Sequence, residues 1–327
     1  MARLAFPLAV SASDRAAMDL AGLPPCRRSD HPELTEPAIR RALRSGELVS
    51  PRRGVLVGRR RLQLAESPVD RHALAAAVAI AGTPGPRVYA CLGSAALLHG
   101  LSRLGRNPER VRLYRASGGP RRDEGVAVLV CGLRDAHVTE VMGVPCTTSV
   151  RTVVDLARWV SFRGGVVVAD SAMRHGIERQ QLESVARDCT RWPGIRKARD
   201  VIAFADGGAA SPLESVSRVA FREMGLPAPQ LQVTVAWDEF GNPRIIVDFC
   251  WPEFGVVGEA DGLLKYDEEL DPERVSLRAE KLRHEEIEAL GYIVVRWTWE
   301  DIWRRPEWVA MRLRNAFAAG IRRRRTA

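Results

Sequence analysis

The pattern of apolar and polar positions changes at residue 211, after the glycine-rich stretch ADGGAASP at 205–212. Beyond it, apolar residues first recur every three or four positions, and then alternate or run together over short segments. The pattern predicts, in order, one helix, three strands, one helix and one strand, in the segments PLESVSRVAFREMG, LQVTVAW, RIIVDFCW, FGVVGEADG, ERVSLRAEKLRHEEIEAL and YIVVRWTW. Residues 211–327 are therefore predicted to form an α/β domain of αβββαβ order.

Residues 1–65 show a different pattern, a short helix followed by a hairpin. Thr35 is the residue type of a helix N-cap, Ile39 and Leu43 lie four positions apart, and Gly46 ends the helix. Two short apolar runs, ELVS and GVLVG, then flank the sequence PRRG. A helix followed by a strand pair with a basic turn is the closing part of a winged helix-turn-helix, so we predict a winged-helix-like DNA-binding domain.

Arginines are concentrated in this winged segment, where Glu47 is the only acid among them. Arginine binds backbone phosphates and also reads guanine edges with two hydrogen bonds. The nucleic-acid-binding candidates in this segment are Arg40, Arg41, Arg44, Arg52 and Arg53. Winged folds also serve as protein contacts, which is the alternative for this surface.

Residues 66–205 mix helix-like and strand-like segments. The alanine-rich stretch at 69–82 and GSAALLHG are helical in pattern, whereas VRLYR and VAVLVCGL resemble strands. We predict a mixed α/β middle domain here. The chain as a whole is therefore predicted to be a multi-domain α/β protein with domains at 1–65, 66–205 and 211–327.

Charge divides the chain at the same boundary. Residues 211–327 hold 17 basic and 20 acidic residues, whereas residues 1–210 hold the other 32 basic and 20 acidic residues. This asymmetry suggests a polyanion-binding half and an acid-rich half. No apolar run approaches the roughly 18 residues that cross a bilayer, so no membrane contact and a cytoplasmic location are expected. The six cysteines form no C-x-x-C pair and are expected to be free thiols.

The acid-rich half places carboxylates on neighbouring strands. If the turn after RIIVDFCW is centred between Glu253 and Phe254, Asp248 pairs directly across from Glu259. Strand alternation puts Asp261 on the same face as Glu259. Like charges crowded on an apolar sheet are usually compensated by a divalent cation, and Mg²⁺ activates water for phosphodiester hydrolysis. The pattern therefore predicts a nuclease site that uses Mg²⁺, or Mn²⁺ in its place.

The stretches LES, GLPAPQLQV, VDFCWPEFGVVGEADGLLKY and EKLRHEEIEALGYIVVRWTWEDI resemble actinobacterial proteins related to very-short-patch-repair endonucleases. Those proteins belong to the PD-(D/E)XK, or restriction-endonuclease-like, superfamily. The resemblance covers most of residues 211–327 and implies a restriction-endonuclease-like fold. It also implies Asp248 and Glu259 as the metal-binding pair, with Glu214 on the first helix as a supporting acid.

One position departs from the superfamily pattern. The E-x-K motif is E-x-D here, with Asp261 where lysine is expected. Lys265 in the following loop or Lys281 in the next helix could position or activate water instead, although a solvated surface role is the alternative for each. Arg296 in the last strand is expected near the same sheet, where it would meet a phosphate or pair with a carboxylate.

The first 205 residues resemble the AbiEi-type antitoxins and transcriptional regulators. The winged segment, GSAALLHGL and GVPCTTSVRTVVDLAR carry this resemblance. Members of that family bind promoter DNA through the winged domain, so the resemblance implies DNA as a ligand and raises a toxin protein as a partner.

Three functional hypotheses follow. The first is a Mg²⁺-dependent DNA endonuclease in which the basic N-terminal region supplies affinity and residues 211–327 cut. The second is an antitoxin-like DNA-binding regulator whose nuclease fold is catalytically inactive. The third is a protein–protein module in which the acids form a structural ion-pair network with Arg296, Lys265 and Lys281. Only the first requires cation-dependent cleavage, whereas the second predicts metal-independent DNA binding.

Overall fold

The computed structural model describes residues 19–105, 108, 110–123, 125–262 and 273–326. The chain divides into two compact units. The first unit contains residues 1–159 and 180–198, and the second contains residues 160–179 and 199–327. The mixed α/β class and the multi-domain organisation are as the sequence predicts, whereas the three domain boundaries stay a prediction.

The first unit begins with a small three-stranded sheet and two helices. These elements are β1 (Cys26–Arg27), α1 (Glu36–Ser45), β2 (Leu48–Arg52), β3 (Val55–Gly58) and α2 (Arg59–Gln63). Strand β3 lies between β1 and β2 and is antiparallel to both. The helix and the hairpin predicted between residues 34 and 57 are therefore present. Half of the segment 12–25, where a first helix of the winged motif would lie, is outside the described residues.

Local signals fix the ends of α1. The Thr35 hydroxyl oxygen accepts a hydrogen bond from the backbone N–H of Ala38, at 3.4 Å. Gly46 ends the helix with φ of +75°, a conformation that glycine adopts without steric cost. Ile39 of α1 packs with Leu48 and other apolar residues into the small core of this segment. The opposite side of α1, which carries the arginines, is left to solvent.

A six-stranded sheet forms the larger part of the first unit. Its elements are α3 (Pro68–Ala81), β4 (Val88–Ala90), α4 (Leu92–Leu98), β5 (Val111–Arg115), β6 (Arg121–Asp123), β7 (Val126–Val130), β8 (Val138–Val141) and β9 (Val144–Thr147). The strand order is β6-β7-β5-β4-β9-β8, with β5 parallel to β7 and β4 parallel to β9. Small residues of α3, such as Ala73 and Ala77, are buried against valines and leucines of the sheet. This packing makes one continuous apolar core.

Four helices follow the sheet along the chain: α5 (Ser149–Trp159), α6 (Phe162–Arg174), α7 (Arg179–Asp188) and α8 (Ile195–Phe204). Helix α5 carries a buried ion-pair network. Asp155 has no exposed surface, and its two carboxylate oxygens each lie 2.8 Å from a guanidinium nitrogen, one of Arg151 and one of Arg158. Both guanidinium groups also lie over the ring of Trp192, at 4.6 and 4.7 Å from its centroid. The negative charge of Asp155 is therefore fully compensated.

The C-terminal part of the second unit has the predicted order of helices and strands. Its elements are α9 (Pro212–Glu223), β10 (Gln230–Trp237), β11 (Pro243–Trp251), β12 (Val256–Asp261), α10 (Glu273–Ala289), β13 (Ile293–Thr298), α11 (Trp299–Arg304) and α12 (Pro306–Thr326). The strand order is β10-β11-β12-β13. The first three strands are antiparallel, and β13 returns parallel to β12 after the α10 crossover.

Aromatic side chains pack one face of this sheet against α9 and α12. Phe221 of α9 contacts Phe249, Trp251 and Trp297, with ring centroids 5.3 to 5.6 Å apart. The indole N–H of Trp297 donates to the hydroxyl of Ser217 on α9, at 2.8 Å. Aromatic pairs of this kind add to the stabilisation from burial. The sheet is therefore a rigid platform for the polar side chains on its other face.

Two features of the C-terminal segment add to the predicted elements. The short helix α11 was not predicted; Thr298 and Asp301 cap it reciprocally, which is the signal that identifies it. The arginine-rich segment that follows Gly320 is also helical and continues α12 through Thr326. The guanidinium of Arg324 in this helix donates to the backbone oxygen of Glu253, at 3.0 Å.

The cysteines are free thiols, as the sequence predicts. All six cysteines are free, and only Cys131 is partly exposed. Within the described ranges, no helix combines the length and the apolar character needed to span a bilayer.

Candidate functional site

The hairpin of β11 and β12 sets Asp248 beside Glu259. Phe249 pairs with Gly258 in this antiparallel ladder. The same register, continued by one residue, puts Asp248 opposite Glu259, which is the register that the sequence predicts. The Oδ2 of Asp248 accepts a hydrogen bond of 2.8 Å from the backbone N–H of Ala260. The Asp248 carboxylate is therefore held against the strand that carries Glu259.

Gln232 on β10 joins Asp248 to Glu214. The neighbours of Gln232 pair with the neighbours of Asp248, so Gln232 lies opposite Asp248 on the other side of β11. The side-chain Nε2 of Gln232 donates to Asp248 Oδ1 at 3.2 Å and to Glu214 Oε2 at 2.9 Å. Gln232 also has φ of +49°, which is strained for a residue with a Cβ atom. Strained residues of this kind concentrate at functional sites.

Glu214 lies in the first turn of α9. The hydroxyl of the N-cap Ser211 accepts from the Glu214 N–H at 3.2 Å, and Glu214 Oε2 accepts from the N–H of Ala210 at 2.8 Å. Burial raises the pKa of the Glu214 carboxyl above its ordinary value of 4.5; the Ala210 hydrogen bond opposes this rise and the charge of Asp248 adds to it. The side chain of Glu214 therefore binds the backbone just before the N-cap of α9 and contributes a carboxyl group of raised pKa to the site.

Glu259 is paired with two arginines. Its side chain is nearly fully buried, and its Oε2 lies 2.8 Å from Nη2 of Arg296, the residue opposite Glu259 in the parallel ladder. Its Oε1 lies 2.8 Å from Nη2 of Arg283, which comes from α10 and also donates to the backbone oxygen of Ile246 at 2.6 Å. Of the two outcomes that the sequence left open for Arg296, the structure contains the pair with a carboxylate.

The carboxylates have the donor chemistry of a hard cation. Mg²⁺ is commonly bound by one or two carboxylates, with waters and substrate phosphates as the remaining ligands. Asp248 and Glu259 provide such a pair, and the buried Oε1 of Glu259 accepts no hydrogen bond in spite of the nearby Arg283. No group of three or more His, Cys, Asp or Glu residues in the described ranges is arranged to hold a metal. The pair therefore fits a two-carboxylate site, in which the cation must compete with the arginines for Glu259.

The other predicted acid and the predicted lysines lie differently. Asp261 ends β12 opposite Thr298 and is half-buried, so the strand does continue far enough to reach it. Lys265 lies outside the described residues. The side chain of Lys281 is 78% exposed and its Nζ lies 3.7 Å from Glu285. Because residues two positions apart in a helix point in different directions, Lys281 does not share the face from which Arg283 reaches Glu259.

The arginines of the winged segment are mostly exposed. Arg41, Arg44 and Arg53 are exposed, and Arg40 is exposed but lies 3.1 Å from Glu36 on the same helix. Arg52 is different, because its side chain is only 26% exposed and its Nη2 lies 2.9 Å from a carboxylate oxygen of Asp123 on β6. The exposed arginines are therefore available to a phosphate backbone, whereas Arg52 would have to leave an ion pair.

Sequence reasoning missed Gln232 and Arg283. A glutamine in an alternating strand is ordinarily solvated, and only the register of β10 against β11 identifies Gln232 as the neighbour of Asp248. Arg283 lies four positions before Ile287, which is fully buried. Residues four apart share a helix face, so the spacing of Arg283 from an apolar position was the available signal.

Comparison with known proteins gives relatives without an assigned activity. No protein-family profile matches the chain. Two proteins of Mycobacterium tuberculosis are each 28% identical to the chain over 230 residues. One is from strain CDC 1551 / Oshkosh and the other is from strain ATCC 25618 / H37Rv. The match covers 70% of this chain and 81% of each relative. Both relatives are named as uncharacterized proteins, so the similarity does not indicate an activity for this chain.

Proposed function

We propose that the protein is a DNA endonuclease of restriction-endonuclease-like fold. Residues 211–327 provide the hydrolytic site, and the basic winged segment of residues 1–65 provides affinity for DNA. The observation that carries the proposal is the link from Glu214 through Gln232 to Asp248, beside Glu259. It brings together acids from a helix and two strands at the positions that the superfamily pattern implies.

The cluster is costly for a protein to maintain without a use. Burying several ionisable groups in a sheet lowers stability unless each is compensated, and a left-handed backbone at Gln232 adds strain. A carboxyl group of raised pKa, such as that of Glu214, is more frequent at functional sites than in ordinary cores. This cost supports a chemical role for the cluster.

The residues of the site have separable roles in the proposed reaction. Mg²⁺ or Mn²⁺ held by Asp248 and Glu259 would supply a Lewis acid that activates water and neutralises phosphate charge. The N–H of Ala260 and the amide of Gln232 orient Asp248. Arg296 provides a positive charge beside Glu259, but arginine stays protonated and so acts by position, not as a general base.

A second function is favoured by one observation. Two arginines compensate Glu259, and the E-x-K lysine is replaced by Asp261, so the fold can persist without a cation. This arrangement is what an antitoxin-like DNA-binding regulator with an inactive nuclease fold would show. In that case the winged segment binds DNA and no strand is cut.

Plasmid cleavage separates the two functions. Purified protein is incubated with supercoiled plasmid in Mg²⁺, in Mn²⁺ and in EDTA, together with Asp248→Asn and Glu259→Gln. The matched control is Glu300→Gln, which removes an exposed acid of the same unit. We expect nicking with either metal, none in EDTA, and a loss of at least about a hundredfold in both site variants.

The alternative gives a different set of results. If the wild-type protein shifts plasmid or duplex DNA in EDTA but nicks neither substrate under any metal, the regulator replaces the endonuclease. If Glu300→Gln loses nicking as fully as Asp248→Asn, the loss does not report on the site and the assignment of Asp248 is wrong.

A further inference from the structure

We propose that Arg283 and Arg296 form a clamp on Glu259 that competes with a divalent cation, and that Arg283 is the half that releases. The arginine clamp is defined as Arg283, Glu259 and Arg296. The inference rests on the proposed endonuclease site and concerns its regulation. It assigns a positioning role to Arg283, which no sequence motif indicates.

The charges of the clamp exclude simultaneous occupancy. Glu259 carries one negative charge, and a guanidinium nitrogen lies 2.8 Å from each of its oxygens. Its carboxylate is only 6% exposed, so water screens these interactions weakly. A doubly charged cation at Glu259 would meet two positive charges at close range. At least one guanidinium must therefore move away before the cation is bound.

The two arginines are held differently. Arg296 belongs to β13, pairs with Glu259 in the strand ladder, and its backbone oxygen accepts from Nη1 of Arg312 at 2.7 Å. Its side chain is 24% exposed. Arg283 comes from a helix, its side chain is 43% exposed, and beyond Glu259 it contacts the backbone oxygen of Ile246. The guanidinium of Arg283 is the more exposed of the two, so it can swing toward solvent more readily than that of Arg296, whose backbone is held inside the sheet.

A phosphate provides a reason for Arg283 to leave. Guanidinium groups bind phosphate oxygens with two parallel hydrogen bonds, as they also bind carboxylates. A DNA phosphate at the site would therefore compete with Glu259 for Arg283. Release of Arg283 frees Glu259 Oε1 for the cation, so the clamp makes tight cation binding depend on the presence of DNA.

The clamp is tested by the affinity for Mn²⁺ without DNA. Isothermal titration calorimetry compares the wild-type protein with Arg283→Gln, Arg283→Lys and the control Arg244→Gln. Arg244 is an exposed arginine of β11 that pairs with Glu286 of α10. Its replacement by glutamine also removes one positive charge from the protein, but at a position outside the clamp. We expect Arg283→Gln to bind Mn²⁺ on the order of tenfold more tightly than the wild-type protein.

The conservative variants test the role of charge. Arg283→Lys and Arg244→Gln should each stay within about twofold of the wild-type affinity, because both leave the charge beside Glu259 in place. Adding Glu259→Gln to Arg283→Gln should abolish the gain. Arg283→Met keeps the aliphatic stem, and it replaces Arg283→Gln if that variant does not fold by circular dichroism.

Several outcomes overturn the clamp. The clamp is rejected if the wild-type protein and the folded neutral variant, Arg283→Gln or Arg283→Met, bind Mn²⁺ with equal affinity, or if neither shows detectable binding. A gain that survives Glu259→Gln also rejects it. Plasmid nicking is measured separately: tighter Mn²⁺ binding by a protein that never nicks supports the clamp and rejects the endonuclease, whereas nicking with unchanged affinity rejects the clamp alone.

Discussion

Gln232 donates its side-chain amide to Asp248 from a backbone conformation, φ of +49°, that residues with a Cβ atom rarely adopt. The same amide reaches Glu214 on the helix that packs beside the sheet. One strained residue therefore holds two carboxylates in place. The effect of the backbone strain on stability can be measured apart from that of the hydrogen bonds. Glycine and alanine at position 232 both lack the side-chain amide, and they differ mainly in backbone freedom.

Gln232→Gly is expected to be more stable than Gln232→Ala. Both variants lose the amide, but glycine adopts the left-handed conformation without the roughly 1–2 kcal/mol that it costs other residues. The greater entropy of glycine in the unfolded chain offsets part of this gain. The expected difference in the free energy of unfolding is about 1 kcal/mol, measured in urea. At Val233, which has no positive φ, the same pair of substitutions should give the opposite order. A more stable alanine variant at position 232 would show that its backbone is unstrained.

The raised pKa of Glu214 predicts a pH-dependent stability. A carboxyl group whose pKa is higher in the folded than in the unfolded protein binds more protons when folded, so its stabilising contribution is present at low pH and is lost as pH rises. Glu214→Gln removes this loss and keeps an oxygen for the N–H of Ala210. The stability of Glu214→Gln relative to the wild-type protein should therefore increase as pH rises from about 4.5, the ordinary pKa of the group.

Urea unfolding of both proteins over a pH series measures this difference. Each protein serves as the reference for the other, because all remaining ionisable groups are shared. A difference that stays constant with pH, or that increases toward acid, would mean that the carboxyl group of Glu214 is not the one whose pKa is raised on folding.

Asp155→Asn is expected to be strongly destabilising. The substitution leaves the buried Arg151 and the nearly buried Arg158 without their shared counter-charge, a change that typically costs about 3–5 kcal/mol. Urea unfolding followed by circular dichroism measures it. Glu300→Gln breaks an exposed pair with Arg304 and should cost no more than about 1 kcal/mol. If the two variants lose similar amounts, the arginines around Asp155 are reached by solvent.

The winged segment is expected to bind duplex DNA through phosphates. The double variant Arg41→Gln and Arg53→Gln removes two exposed arginines of α1 and the β2–β3 turn. It should weaken binding about equally for unrelated sequences, and it should lower the slope of log K against log salt by roughly two, because each phosphate contact contributes about 0.9. Fluorescence anisotropy in EDTA measures both quantities.

The control for DNA binding is Arg304→Gln, which removes an exposed arginine of α11. It should leave the affinity and the salt slope unchanged. An unchanged slope in the double variant would indicate that the winged segment contacts a protein, which is the alternative that its fold permits.

The sequence predicts helices and strands wherever capping or turn residues agree with the spacing of the apolar positions. Thr35 and Gly46 fix α1, and the centre of the β11–β12 turn fixes the pairing that brings Asp248 to Glu259. These signals lie within about 12 residues of the structure that they determine, which is why one chain is sufficient to read them.

The ion pairs could not be predicted in the same way. Arg52 and Asp123 are 71 residues apart, and no local pattern connects them. Arg283 reaches Glu259 only because α10 crosses back over the sheet before β13 pairs with β12. Which acid meets which base depends on tertiary packing, so the sequence indicated the acids of the site and offered Arg296 as a partner for one of them, but it did not indicate Arg283.

The parallel pairing of β12 with β13 also sets an order of assembly. In a chain that emerges from the ribosome amino end first, Glu214, Asp248 and Glu259 are all synthesised before Arg283 and Arg296. The nascent domain therefore passes through a stage in which its carboxylates have no guanidinium partners, and the antiparallel strands alone bring like charges together. Synthesis of α10 and β13 is thus the step that supplies the positive charge beside Glu259, and a polypeptide that stops before α10 should hold the β11–β12 hairpin less stably than the full chain.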